Sequence, residues 1–345
     1  MKKHQTTVID IAKELKLSKS TVSRALTGHP HVNPQTRQSV LELAQKMDYQ
    51  RNVFAVSLAN NRSNTIGVIV PEFHFMFFPQ VILGIQEVAK EAGYHVLIMQ
   101  SGESYEAEVA NAKVLLAHQV DGVLVSLTKE TLNFDHLKVF QRKGIPIVFF
   151  NRVCDDMEVP KVVVDDYDGA FRATEHLIKI GRKRIAHLAG PHSLLISRKR
   201  LNGYLDALRK YDIPIVEELI ISYDLTLEKV AIYMSHLLSL PQPPDGLFCI
   251  NDPTAIKAIQ VIKSKGFAIP QDIAVVGFSN DYASDLIEPS LTTVAQPVRE
   301  IGKTAARLLL DQIENGSDKP LIRQLNTELI IRRSTQVEEK LWLSK

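Results

Sequence analysis

The stretch LSKSTVSRAL, residues 17 to 26, puts Lys19, Ser20, Ser23 and Arg24 outside the apolar face formed by Val22, Ala25 and Leu26. Two cations and two hydroxyls on one short helix form a hydrogen-bond donor surface. It suits an anionic or acceptor-rich partner such as phosphate oxygens or the edges of bases. Lys19 or Arg24 can donate to guanine O6 and N7, and Ser20 can serve a base acceptor or a phosphate.

The surrounding elements must hold that face in place. In TTVIDIAKEL, Thr7 caps a helix with Asp10 three residues on, and Val8, Ile11, Ala12 and Leu15 recur at helical spacing. Ser18 caps the next helix after a very short connection. Asn33, followed by Pro34, opens a third with Val40, Leu43, Ala44 and Met47 facing inward. A helix, a tight connection and a second helix with a polar outer face is the pattern of a helix-turn-helix, though an ordinary three-helix bundle with solvated lysines shares it. Charge separates the two only partly. Residues 1–64 carry ten Lys and Arg against four Asp and Glu, +6, while the other 281 residues carry −4, from a total of +2.

The run DIAKELKLSKSTVSRALTG, then Val32, Thr36, Arg37 and Tyr49, resembles the DNA-binding head of the lactose/galactose/purine repressor (LacI/GalR) family at matching intervals. The resemblance implies that the second helix reads DNA, with Lys19 and Ser20 at the positions that select the operator and Thr21, Ser23 and Arg24 at more constant ones. Thr7, Ser18, Asn33, Thr36 and Tyr49 complete the expected DNA-contacting set of the head, in part by holding phosphates beside helix N-termini. Residues 51–64 are expected to be a hinge and linker. A helix that short needs a partner in water. By the resemblance, Ala55 and Leu58 sit at hinge positions, with Leu58 as a minor-groove wedge beside Asn52. Arg51 stands where the family commonly has proline, which weakens preorganisation and adds a phosphate contact.

From residue 65 apolar runs alternate with helical stretches. NTIGVIVP, YHVLIMQS, VDGVLVS, IPIVFFN, KVVVDD, RIAHLAG, GLFCIND and DIAVVGF read as buried parallel strands. The alternation implies two doubly wound lobes, and with the family resemblance the expected fold class is an all-alpha helix-turn-helix head (1–50) followed by an α/β two-lobed periplasmic-binding-protein-like effector and dimerisation domain (65–345). Lobe one is expected over about 65–160 and 296–320, lobe two over about 162–290 and 321–333. Ligands of such sheets bind beyond the carboxyl ends of the strands.

The resemblance extends to this body and places effector contacts on Arg200 in RLNGY, Asn151, Asn251, Asp252, Ser279, Asn280 and Gln296. Asp252 reads equally as a helix cap. Asn151 and Ser279 stand where the family often has aspartate, so two charged hydrogen-bond acceptors for sugar hydroxyls are replaced by neutral groups. Phe75 and Phe77, after the first strand, offer faces for stacking on a sugar ring or base.

Other chemistries lack their residues. There is no glycine-rich nucleotide fingerprint, phosphate-loop lysine or metal-ligand motif, so no cofactor and no metal are expected. Ser193 and Ser197 lack a nucleophile-elbow setting, and His187 in RIAHLAG reads as a strand or core residue. Cys154 and Cys249 suggest no disulfide framework, and no run reaches eighteen apolar residues, which points to a cytoplasmic protein without a membrane segment. The expected partners are a palindromic double-stranded operator, a second copy of the chain and a small effector, foremost a sugar. A nucleobase-responsive corepressor type and a sugar-processing enzyme stand as alternatives. The tail holds Leu341, Trp342 and Leu343 without a sustained heptad, which favours a dimer over a tetramer.

Overall fold

The computed structural model describes residues 6–50, 62–316 and 320–336. The chain divides into two compact units, Met1–Ser63 and Asn64–Lys345. In the first unit, α1 (Val8–Glu14), α2 (Lys19–Leu26) and α3 (Pro34–Lys46) close around Ile11, Ala12, Val22, Ala25, Val32, Val40 and Ala44. Each helix starts on a side-chain cap. Thr7 and Asp10 make a reciprocal capping box, Ser18 Oγ accepts from Thr21 N at 3.1 Å, and Asn33 Oδ1 accepts from Gln35 N at 2.9 Å. The turn between α1 and α2 is closed by Leu17 N donating to the Ala12 carbonyl, with Lys16 in the left-handed region at φ 53°.

The second unit contains two six-stranded sheets. The first has the order β11-β5-β4-β3-β1-β2, formed by β1 (Thr65–Val70), β2 (His95–Gln100), β3 (Gly122–Val125), β4 (Ile147–Phe150), β5 (Lys161–Val164) and β11 (Ile322–Leu325). Every pair in it is parallel. The second has the order β12-β10-β9-β8-β6-β7, from β6 (Ile185–Ala189), β7 (Ile220–Ser222), β8 (Gly246–Cys249), β9 (Ala274–Ser279), β10 (Thr292–Ala295) and β12 (Glu328–Ile330), with only β12 antiparallel. Helices α4 (Phe77–Glu91), α5 (Tyr105–Ala117), α6 (Asp135–Arg142) and α12 (Val298–Asn315) belong to the first lobe. Helices α7 (Asp166–Lys179), α8 (Leu195–Lys210), α9 (Leu227–Leu238) and α10 (Asp252–Ser264), with the short α11 (Ala283–Leu286), belong to the second.

Two boundaries differ from expectation. Residues 162–164 and 321–325 fall within the expected second lobe, yet β5 pairs with β4 and β11 pairs with β5, so both complete the first sheet. The chain therefore crosses between lobes after β5, after β10 and after β11. Backbone contact also fixes two buried glycines between α4 and α12 of the first lobe: a Cβ on Gly84 would strike the Arg299 carbonyl, and one on Gly302 the Val81 carbonyl. Those two glycines let α4 and α12 cross at backbone distance.

Candidate operator and effector sites

The first unit presents one open donor face. Lys19, Ser20, Ser23 and Arg24 are exposed on α2, while Val22 and Ala25 on its opposite side are buried. Thr21 is half-buried, and Ser18 Oγ lies 2.8 Å from both Ser20 Oγ and Thr21 Oγ1. That cluster sits at the first turn of α2, where free backbone N–H groups favour an anion. The other expected contacts also carry structural duties. Thr7, Ser18 and Asn33 cap helices, Thr36 is half-buried at the start of α3, and Tyr49 packs on the head core. Arg37, a motif residue given no contact, donates to the His29 carbonyl at 2.6 Å and fastens the loop before α3. Arg51, Asn52, Ala55 and Leu58 lie outside the described residues.

In the second unit a narrow cleft with a cavity of about 70 Å³ is lined from both lobes. It brings together seven of the nine expected effector residues: Phe75, Phe77, Asn151, Arg200, Asn251, Ser279 and Gln296. Asn151 directly follows β4 at φ 58° and Ser279 ends β9 at φ 128°, so the chain turns sharply at the cleft after both strands. Asparagine tolerates that conformation better than most side chains.

Asn251 rather than Asp252 caps α10, its Oδ1 accepting from Thr254 N at 2.9 Å. The other two expected residues do not reach the lining. Asp252 is fully buried and accepts from Thr293 Oγ1 (2.6 Å), Ser284 Oγ (2.7 Å) and Asp281 N (2.7 Å), so its carboxylate fastens the loop after β9. Burial pushes that carboxyl up from its ordinary value, and the three donors oppose the shift. Asn280 faces a neighbouring groove, its Oδ1 accepting from Arg332 at 2.9 Å.

Arg200 is 3% exposed and heavily bonded. Its Nε and one terminal nitrogen donate to Asp166 Oδ1 at 2.9 and 2.7 Å, the other terminal nitrogen donates to the Ile250 carbonyl at 2.5 Å, and the guanidinium stacks 3.6 Å from the Phe278 ring centre. Burial pushes Asp166 up and Arg200 down from their ordinary values, while their mutual attraction works against both shifts.

Sequence reasoning missed Glu72, Arg152 and Ser197 as lining residues. Arg152 is paired with Glu103, one nitrogen lying 2.7 and 2.8 Å from the two carboxylate oxygens. Desolvation raises the Glu72 carboxyl above its ordinary value despite donation from the Phe75 amide. Arg152 directly follows Asn151, and Ser197 lies one helical turn before Arg200, so adjacency to expected residues was the available signal. His187 is fully buried, donates from Nδ1 to the Phe248 carbonyl at 2.9 Å and stacks on Phe248 and Tyr204, which makes it a core residue.

Residues 63–333 match the family described as periplasmic binding proteins and sugar binding domain of LacI family, and residues 7–52 match bacterial regulatory proteins, lacI family. The chain is a member of the LacI family. The HTH-type transcriptional repressor CytR of Escherichia coli (strain K12) is 37% identical over 97% of this chain and 98% of its own. Catabolite control protein A of Priestia megaterium is 30% identical over 96% of this chain and 99% of its own. Among solved structures, the lac repressor dimer bound to operator and the anti-inducer ONPF superposes with a TM-score of 0.85 at 26% identity, covering 96% of this chain and all of that one. The LacI-family protein is thus a DNA-binding transcriptional repressor with the family's helix-turn-helix head and periplasmic-binding-protein-like body. Among its described residues no helix is long and apolar enough to cross a membrane.

Proposed function

We propose that this repressor acts as a homodimer on a palindromic operator and that a small ligand in the cleft, foremost a sugar, controls its DNA affinity by changing the angle between the lobes. The observation that carries the operator reading is the exposed Lys19, Ser20, Ser23 and Arg24 face on a helix capped by Ser18. One such helix contacts too few bases for selective binding, and two related by a twofold axis read two half-sites. Met76, Leu83, Tyr282 and Leu286 expose apolar surface on the body that a second copy can cover. The lac repressor structure it resembles is a dimer on its operator.

The sugar reading rests on the polar cleft with aromatic rings at Phe75 and Phe77. It is supported by structural neighbours solved as a cellobiose complex and with bound ribose. The same aromatic faces suit a nucleobase, which is the second reading. Selection of the full-length protein on a random duplex library, repeated with pooled sugars and nucleobases, tests the whole scheme. Enrichment of a palindrome whose yield changes with one pool supports it. An enriched site of a single, non-repeated half excludes the dimeric reading.

A further inference from the structure

The carboxylate of Glu103 is shared between a residue of the cleft wall and a residue that bridges the lobes. Arg152, which lines the cleft, donates through Nη1 to both of its oxygens at 2.7 and 2.8 Å, and the Lys129 amide donates to Oε2 at 3.0 Å. Glu103 follows β2, Lys129 follows β3 and Arg152 follows β4, so one side chain gathers three strand ends of the first sheet. Lys129 then reaches the second lobe. Its Nζ donates to the Asp224 carbonyl and its own carbonyl accepts from Ser193 Oγ, both at 2.9 Å. Direct hydrogen bonds therefore run from the cleft wall to the opposite lobe, from Arg152 through Glu103 and Lys129 to Asp224 and Ser193.

Two further features separate Glu103 from an ordinary loop acid. Its backbone is left-handed at φ 64°, directly after Gly102 at φ 61°, a conformation that costs a residue with a Cβ and persists where its surroundings enforce it. Here they are its amide, which donates to the Pro71 carbonyl at 3.2 Å, and the three bonds to its carboxylate. The loop that it holds is also stiff. Fully buried Glu108, on α5, accepts from Thr128 N at 2.9 Å and from Thr131 Oγ1 at 2.8 Å, which braces the loop on both sides of Lys129. A braced loop passes a shift at the Lys129 amide on to the Lys129 carbonyl and side chain, where a slack one would absorb it.

We infer that Glu103 is the positioning residue that couples the cleft wall to the bonds between the lobes. Whatever moves Arg152 changes the hold of Glu103 on Lys129, and with it the strength of the two bonds that Lys129 makes across the mouth. The inference rests on the reading that lobe movement controls the repressor, and it adds the residue through which the cleft acts on that movement. Glu103 itself does not line the cavity.

Amide hydrogen exchange of the full-length protein tests the coupling without any ligand, read at residues 192–196 of the second lobe. Among the described residues, none of these shares a hydrogen bond with Glu103 or Arg152. E103Q and R152M are each expected to raise exchange there about three- to tenfold, the scale of losing a hydrogen bond to a charged group. The double variant K129A/S193A is expected to do the same. Adding E103Q or R152M to K129A/S193A should change nothing more, and R152M should add nothing to E103Q, because all act through Lys129. A purely structural role for Glu103 gives additive effects instead, which overturns the inference. So does unchanged exchange at 192–196 in E103Q, which would mean that Glu108 alone holds the loop. Operator affinity of the same variants reads the underlying scheme separately: non-additive exchange with operator affinity unmoved upholds the coupling and overturns control by lobe movement.

Discussion

Arg24 and Lys19 share a helix face but differ in what they are expected to do. Lys19 opens α2, where the resemblance places operator selection. Lys19→Ala should cost about 1–3 kcal/mol on the preferred operator and relax preference at one base pair. Arg24→Ala should weaken all sequences alike and flatten the salt dependence by about one counterion. Fluorescence anisotropy over a salt series, on the selected operator and single-base variants of it, separates the two outcomes.

His187 makes a second prediction of this size. Burial pushes its imidazole down to about 4, so the folded protein keeps it neutral where an unfolded chain takes up a proton. Its contribution is intact above its ordinary value of 6.5 and is lost as pH falls from there toward 4, by up to about 3 kcal/mol. His187→Leu should shrink the drop in urea midpoint between pH 7 and pH 5. An unchanged drop would show that other groups set the acid sensitivity. Residue types at strand ends disclosed most of the cleft, including Asn151, Asn251 and Ser279. They did not disclose Glu103, because pairing with a distant arginine is a property of the folded arrangement and leaves no mark on local spacing.

At the scale of elements, caps and periodicity made the three head helices and most of the α/β alternation legible, since Thr7, Ser18 and Asn33 begin helices by chemistry that is local. Several elements escaped, among them β7 and α11. Strand β7 is only three residues at a sheet edge, and α11 is a single turn stabilised by the remote Asp252, so neither carries a periodic signal. Local chemistry also leaves a visible fault in the head. Lys16 occupies a left-handed position at the α1–α2 turn that glycine fills without strain. Lys16→Gly should therefore stabilise the full-length protein's head transition by about 0.5–1 kcal/mol, read as a rise in its thermal midpoint. Gly302→Ala should do the reverse to the body, by about 1–3 kcal/mol, because its methyl group would meet the Val81 carbonyl and force α12 away from α4.

At the scale of the molecule, the partition of strands between lobes was the least legible feature. Apolar runs such as KVVV announce a buried strand but not which sheet receives it, and β5 and β11 are placed by each other: Asp165 N donates to the Leu325 carbonyl where both strands leave the first sheet. The crossings after β5, β10 and β11 are the covalent links about which the lobes can move, and hydrogen bonds across the mouth oppose that movement. Lys129, in the loop after β3, donates through Nζ to the Asp224 carbonyl at 2.9 Å, and Ser193 of the second lobe donates to the Lys129 carbonyl at 2.9 Å. Neither Lys129 nor Ser193 lines the cavity. Removing their side chains should therefore leave the effector contacts intact and shift the population toward an open arrangement. The double variant Lys129→Ala, Ser193→Ala is expected to increase amide exchange in 126–131 and 192–196. It should weaken effector binding about three- to tenfold and change operator affinity in the direction opposite to that caused by the effector. Weaker effector binding with operator affinity unchanged would show that lobe closure and DNA binding are not linked.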